Sequence, residues 1–165
     1  MLGNMSKFLN AKRAEELASS CESQDNILFI IDEVDFIDNF GITMLSAVAR
    51  SIGWNTLLTV FNKKSIDDVF RKFKPRIVCY SSMSSNSDTY LKINRYLKTK
   101  YEFLSIMGGP HPTYFPDVID EEGLDYICRG EGELAFAEFL NKYKNGESVE
   151  YVGNFCSKNN RNPVR

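Results

Sequence analysis

The sequence is short of the side chains that most directly announce chemistry. A single histidine in 165 residues excludes a multi-histidine metal site. The four cysteines, Cys21, Cys79, Cys128 and Cys156, lie far apart, and no CxxC or CxxxCxxC spacing exists. That spacing argues against a disulfide scaffold and points to a reducing, cytoplasmic setting. No apolar run approaches ~18 residues, and the N-terminus lacks the apolar core of a signal peptide, so no membrane partner is expected. The formal net charge is −2, without the basic excess that would argue for nucleic acid. The modest cluster Lys63, Lys64, Arg71, Lys72, Lys74 and Arg76 reads as solvated helix faces. Neither GxGxxG after the first strand nor GxxxxGK[ST] is present, so a dinucleotide fingerprint and a phosphate-binding P-loop are both missing.

What remains is a regular alternation of strands and helices. Hydrophobic residues make up 43% of the chain, enough for one real core. Residues 1–25 are polar with helical spacing and read as an N-terminal helical extension. Ile27-Leu28-Phe29-Ile30-Ile31 is an apolar run of the length of a central parallel strand. Gly41 opens a helical pattern (Ile42, Leu45, Val48, Ala49, Ile52) that stops at Gly53. Further strands are expected at 54–60, 76–80, 102–107 and 124–128. Helices are expected at 66–73, with Ser65 as N-cap, at about 87–99, at 117–121 and at 131–145. Five strands spaced by helices predict an α/β fold with a doubly wound parallel sheet in the flavodoxin-like order 2-1-3-4-5. Residues 26–146 form that domain, and 147–165, with few apolar residues, reads as an extended tail.

In such a fold ligands bind at the carboxyl ends of the strands, where the order reverses. Strand 3 is followed by Ser81-Ser82-Met83-Ser84-Ser85, and strand 4 ends in Gly108-Gly109. Small side chains at two adjacent strand tips vacate a slot wide enough for a flat heterocycle on a tether. Gly109→Val is expected to block that slot and leave the sheet folded. Other uses of the fold fit less well. A phosphoreceiver needs an aspartate at the end of strand 3, where Tyr80-Ser81-Ser82 stands. The loop after strand 1 carries Asp32, Glu33, Asp35 and Asp38, which would repel the phosphate of a flavin nucleotide.

Four segments carry a resemblance to a known family. They are Phe40-Gly41-Ile42-Thr43-Met44-Leu45 through Gly53, Tyr80-Ser81-Ser82-Met83, Gly108-Gly109-Pro110-His111-Pro112-Thr113, and Asp125 through Glu133 with Arg129-Gly130-Glu131-Gly132-Glu133. Together they resemble the cobalamin-binding domain that precedes the radical-SAM domain in class B radical-SAM enzymes. The resemblance implies a corrinoid over the C-terminal edge of the sheet, with its nucleotide tail beside the serine run. The cofactor-binding residues it implies are Asp38, Phe40, Gly41, Ser81, Ser82, Met83, Ser84, Gly108, Gly109, Pro110, His111, Arg129, Gly130 and Glu131. In better-known cobalamin domains a DxHxxG motif supplies a histidine to cobalt. Aligned on Gly41, this chain has Phe36 at the aspartate position and Asp38 at the histidine position. The resemblance therefore implies base-off cobalamin with no histidine ligand from this loop. A 4Fe-4S cluster and S-adenosylmethionine would belong to a radical-SAM barrel domain absent from this chain, toward which residues 147–165 would be the linker.

Individual residues keep two readings. His111 either reaches the corrin or its side amides, or bonds nearby backbone. Arg129 either pairs with Glu131 or Glu133, or contacts a phosphate or a partner domain. The chain as a whole reads as a domain that positions a corrinoid for a neighbouring catalytic domain, and by itself is not expected to be catalytic. The alternative is a flavodoxin-like interaction or regulatory domain that has lost its cofactor. A third reading uses the Asp32/Glu33/Asp35/Asp38 loop to hold a hard cation such as Mg²⁺.

Overall fold

The computed structural model describes residues 25–32 and 40–165. The expected N-terminal helix, and the positions Phe36 and Asp38, lie outside the described residues.

The apolar run of the first strand forms β1 (Asn26–Ile31) at the centre of the sheet, with Leu28 and Ile30 facing one core and Phe29 and Ile31 the other. It pairs in parallel with β2 (Asn55–Val60) on one side and β3 (Ile77–Ser81) on the other. The order reverses there, as expected. β4 (Leu104–Gly108) follows β3, and β5 (Tyr126–Cys128) follows β4, both parallel. A sixth strand, β6 (Phe155–Cys156), then adds antiparallel to β5, so the order is β2-β1-β3-β4-β5-β6 and not the five expected. Two residues are too few to show a period-2 pattern, which is why the tail concealed a strand. Residues Val149, Val152, Phe155 and Cys156 are buried, and Phe155 stacks on Phe139 with ring centroids 4.4 Å apart.

Helices cover both faces. α1 (Phe40–Ser51) and α5 (Glu133–Lys144) pack on the face that holds Phe29, Cys79, Ile106 and Cys128. α2 (Ile66–Phe73) and α3 (Ser87–Lys98) pack on the face that holds Leu28, Val78, Tyr80 and Met107. Ser65 stands before α2 but makes no side-chain cap bond. Asn62 leads into this helix instead, its carbonyl accepting from the Ser65 and Ile66 amides and its side chain from Lys64 N–H. Asp67 and Asp68 in the first turn and Arg71 and Lys72 in the last complement the α2 dipole.

The loop after β4 is more ordered than the sequence indicates. Pro110–Tyr114 is a one-turn helix, α4, with Pro110 at its first position, where a missing N–H costs nothing. A 3-10 turn, Pro116–Asp120, occupies the segment expected as a short helix.

Candidate functional site

Alternation along the strands places the small residues together. In β3, Cys79 and Ser81 face α1 and α5, while Tyr80 between them faces the other core. In β4, Ile106 and Gly108 face the same way, with Met107 turned opposite. The register pairs Cys79 with Ile106 and Ser81 with Gly108. At the strand tips one row therefore consists of a serine beside a glycine, where the row beneath has full side chains. Above them the first turn of α1 carries Gly41, whose Cβ position meets nothing within 4 Å.

The result is a small cavity of about 50 Å³, open at the C-terminal edge. Its floor is Phe29, Cys79, Ile106 and Cys128. Its walls are Ile42 and Leu45 of α1 and Phe136 of α5. Gly41, Ser81, Gly108 and Gly109 surround the rest. Among the described residues, no bulky group fills the gap between the β3 and β4 tips. Burial disfavours the thiolate form of both thiols on the floor. Burial pushes Cys128 up to about 12 and Cys79 higher still.

Four of the expected site residues, Gly41, Ser81, Gly108 and Gly109, line this slot. The others are placed around it. Ser82 is fully buried and locks two loops, its N–H donating to Gly108 O (2.8 Å) and its carbonyl accepting from His111 N–H (2.9 Å). Met83 and Ser84 are exposed, and Ser84 Oγ lies 3.1 Å from His111 Nδ1. The His111 ring also stacks on Phe115, with ring centroids 5.3 Å apart. Pro110 serves the turn of α4. Phe40 is exposed at the start of α1.

Arg129 forms no ion pair among the described residues, so the expected pairing with Glu131 or Glu133 is not made. Its Nε is buried without a partner. Its backbone is tied instead to Asn154, whose carbonyl accepts from Arg129 N–H and whose Nδ2 donates to both Arg129 O and Glu131 O at 2.9 Å. Gly130 N–H donates to Thr113 Oγ1 (2.9 Å), and Thr113 Oγ1 donates to Gly109 O (2.9 Å). One hydroxyl thus joins the turn after β5 to the turn after β4. Asp32, the described member of the acidic loop, accepts a hydrogen bond from Tyr90 (3.0 Å). No cluster of three metal-ligating side chains occurs among the described residues.

The structure also corrects the role of Gly109. Its φ is +97°, and a Cβ there would lie 2.8 Å from the backbone N and O of Ser82. Valine at 109 would strain the junction of the β3 and β4 turns before it filled the slot. Gly108 is the residue whose side chain would enter the slot, with its nearest neighbour, Cys128 O, at 3.9 Å.

Sequence reasoning missed the slot's apolar lining: Phe29, Ile42, Leu45, Cys79, Ile106, Cys128 and Phe136. Each carries the same signal as an ordinary core residue, and only the neighbouring gap distinguishes them.

Comparison with known proteins follows the same lines. The family model for the B12 binding domain matches residues 33–140. An uncharacterised methyltransferase of Pyrococcus horikoshii, PH0819, is 30% identical over 98 residues, which are 58% of this chain and 21% of the relative. The radical S-adenosylmethionine methyltransferase TsrM from Kitasatospora setae, solved with its tryptophan substrate and a SAM analogue, has the same fold. It superposes with a TM-score of 0.74 at 12% identity, over 84% of this chain and 30% of that one. The form of TsrM solved with cobalamin and a [4Fe-4S] cluster gives 0.70 at 12% identity, over 85% and 29%. This chain therefore spans about a fifth of the curated relative and under a third of TsrM. The family model covers well over half of the chain, which belongs to the B12-binding domain family.

Proposed function

We propose that this domain holds a corrinoid over the C-terminal edge of its sheet, with the nucleotide base in the slot between the β3 and β4 tips. The observation that carries the reading is the Ser81–Gly108 pair, two register positions beyond Cys79–Ile106 and on the same face. It opens a narrow apolar cleft at the switch point of the sheet. Flat, largely apolar groups fit such a lining. Ser82, Thr113 and Asn154 tie together the turns after β3, β4 and β5, so that side of the mouth is pre-formed.

With its base in the slot, the cofactor would be bound base-off. Asp38 stands at the position of the ligating histidine in related domains, so no imidazole from this loop would replace the base. When bound, cobalt would supply methyl-carrier or electron-relay chemistry, and the protein's part is to position it.

The parent activity is that of a radical-SAM methyltransferase or a related enzyme. The 4Fe-4S cluster and S-adenosylmethionine would sit in a separate radical-SAM barrel domain. Phe40, Met44, Met83 and Leu134 are exposed. Apolar residues left open at a cofactor edge suit contact with a corrin and a second domain.

Incubation with hydroxocobalamin followed by desalting tests the reading. Retained corrin absorbance is expected. The bound cob(II)alamin form should give an electron paramagnetic resonance spectrum without nitrogen superhyperfine splitting. Loss of all corrin on desalting would favour a cofactor-free interaction domain.

A further inference from the structure

Among the described residues, the side chains lining the slot's interior offer almost no hydrogen-bonding partners. Phe29, Ile42, Leu45, Ile106 and Phe136 present carbon. The thiols of Cys79 and Cys128 stay protonated and are weak donors. Tyr80 borders the slot, but its side chain lies on the opposite face, with its hydroxyl donating to Asn94 Oδ1 (3.2 Å). The strand backbones beneath are committed to the parallel β3–β4 ladder. Among the described residues, Ser81, at the mouth, supplies the one side-chain hydroxyl that faces the slot.

Resting on the corrinoid reading above, we infer that the slot selects among corrinoids by their tail base, accepting a benzimidazole in preference to a purine. A benzimidazole enters with little polar surface to desolvate. Adenine brings an exocyclic amine and additional ring nitrogens, each hydrogen-bonded in water. A single hydroxyl at the mouth cannot replace those bonds. A buried polar group without a partner is penalised, whereas carbon against carbon is favoured. Apolar pockets discriminate modestly against added polar atoms, by up to about 100-fold, because they offer no specific repulsion. The expected preference is therefore about 10- to 100-fold in Kd.

Equilibrium dialysis of the wild-type chain against three corrinoids tests this. They are cobalamin, its adeninyl counterpart, and cobinamide, which lacks the nucleotide tail. Affinity should fall in that order, with cobalamin at least tenfold tighter than the adeninyl form. Equal affinity for cobalamin and the adeninyl form would overturn the selection while leaving corrinoid binding intact. Cobinamide binding as tightly as both would remove the tail from the slot altogether. Absence of binding by any of the three would sink the underlying reading and this one with it. Gly108→Leu locates the effect. Cobalamin and the adeninyl form should both fall to the cobinamide value, and a preference surviving in this variant would overturn the slot as its source.

Discussion

The two faces of the sheet are built from the same strands, one residue out of step, and they end differently at the C-terminal edge. On the α2/α3 face Tyr80 and Met107 extend the core to the strand tips, and Tyr80 packs beside Tyr90 with ring centroids 5.6 Å apart. On the α1/α5 face the next residues out are Ser81 and Gly108, and the core stops short of the edge. The lower levels are filled by buried side chains on both sides: Phe29, Trp54, Phe136 and Phe139 on one, Leu28, Phe70, Phe73 and Leu97 on the other. Stability and ligand space are thus separated by alternation. The packed face contributes burial up to the rim, and the other gives up one row of it.

Substitutions one residue apart break this comparison most severely. Met107 is fully buried, and Met107→Ala should cost about 2–5 kcal/mol of unfolding free energy, read as a lower urea midpoint. Gly108→Leu points its added carbons into the slot and should leave that midpoint nearly unchanged while reducing corrinoid affinity to that of a tail-less corrinoid. If both variants lost stability equally, the two faces would be packed alike at the edge.

A smaller effect asks what holds the open face in shape without burial. Asn154 sits at φ +72°, buried, with its amide bridging Arg129 O and Glu131 O, and its Oδ1 accepting from Arg165 N–H. Asn154→Asp replaces the donor by an oxygen facing two carbonyls and should cost about 1–3 kcal/mol. Asn154→Gly keeps the positive φ without strain and loses only the side-chain bonds, so it should cost less. A reversed order in urea titrations would mean that the backbone conformation, and not the amide bridge, holds the turn.

How much of this was legible depends on the length of the signal. Long apolar runs and helical spacing located five strands and the main helices, with boundaries shifted by a few residues. The strand tips were legible because serine and glycine runs are local and distinctive. β6 was not, since two residues carry no period and its partner lies almost thirty residues away in sequence. Neither was Asn154, a polar residue in a tail, whose role exists only once the chain has folded back onto the turn after β5. The slot's floor looked like core because chemically it is core. Which apolar residue borders a gap is decided by tertiary packing alone.

The smallest expected difference between the faces is in their response to alkali. Both carry buried acids whose charged forms burial disfavours: Cys79 and Cys128 beside the slot, Tyr80 on the packed side. A group whose folded pKa is raised binds its proton more tightly in the native state. Its contribution is complete below the unfolded pKa and is lost as pH rises above it. For the thiols that loss begins near an unfolded pKa of about 8.5, and for the phenol near about 10. Between pH 7 and 9 the slot face alone should respond, with Cys128 contributing below about 1 kcal/mol and Tyr80 almost nothing. Urea midpoints measured at pH 7, 8 and 9 should therefore decline slightly in the wild type. The decline should be shallower in Cys128→Ala, whatever that variant's stability at pH 7. Identical slopes would mean that water already reaches the thiol from the open mouth, and that the slot is wetter than its lining implies.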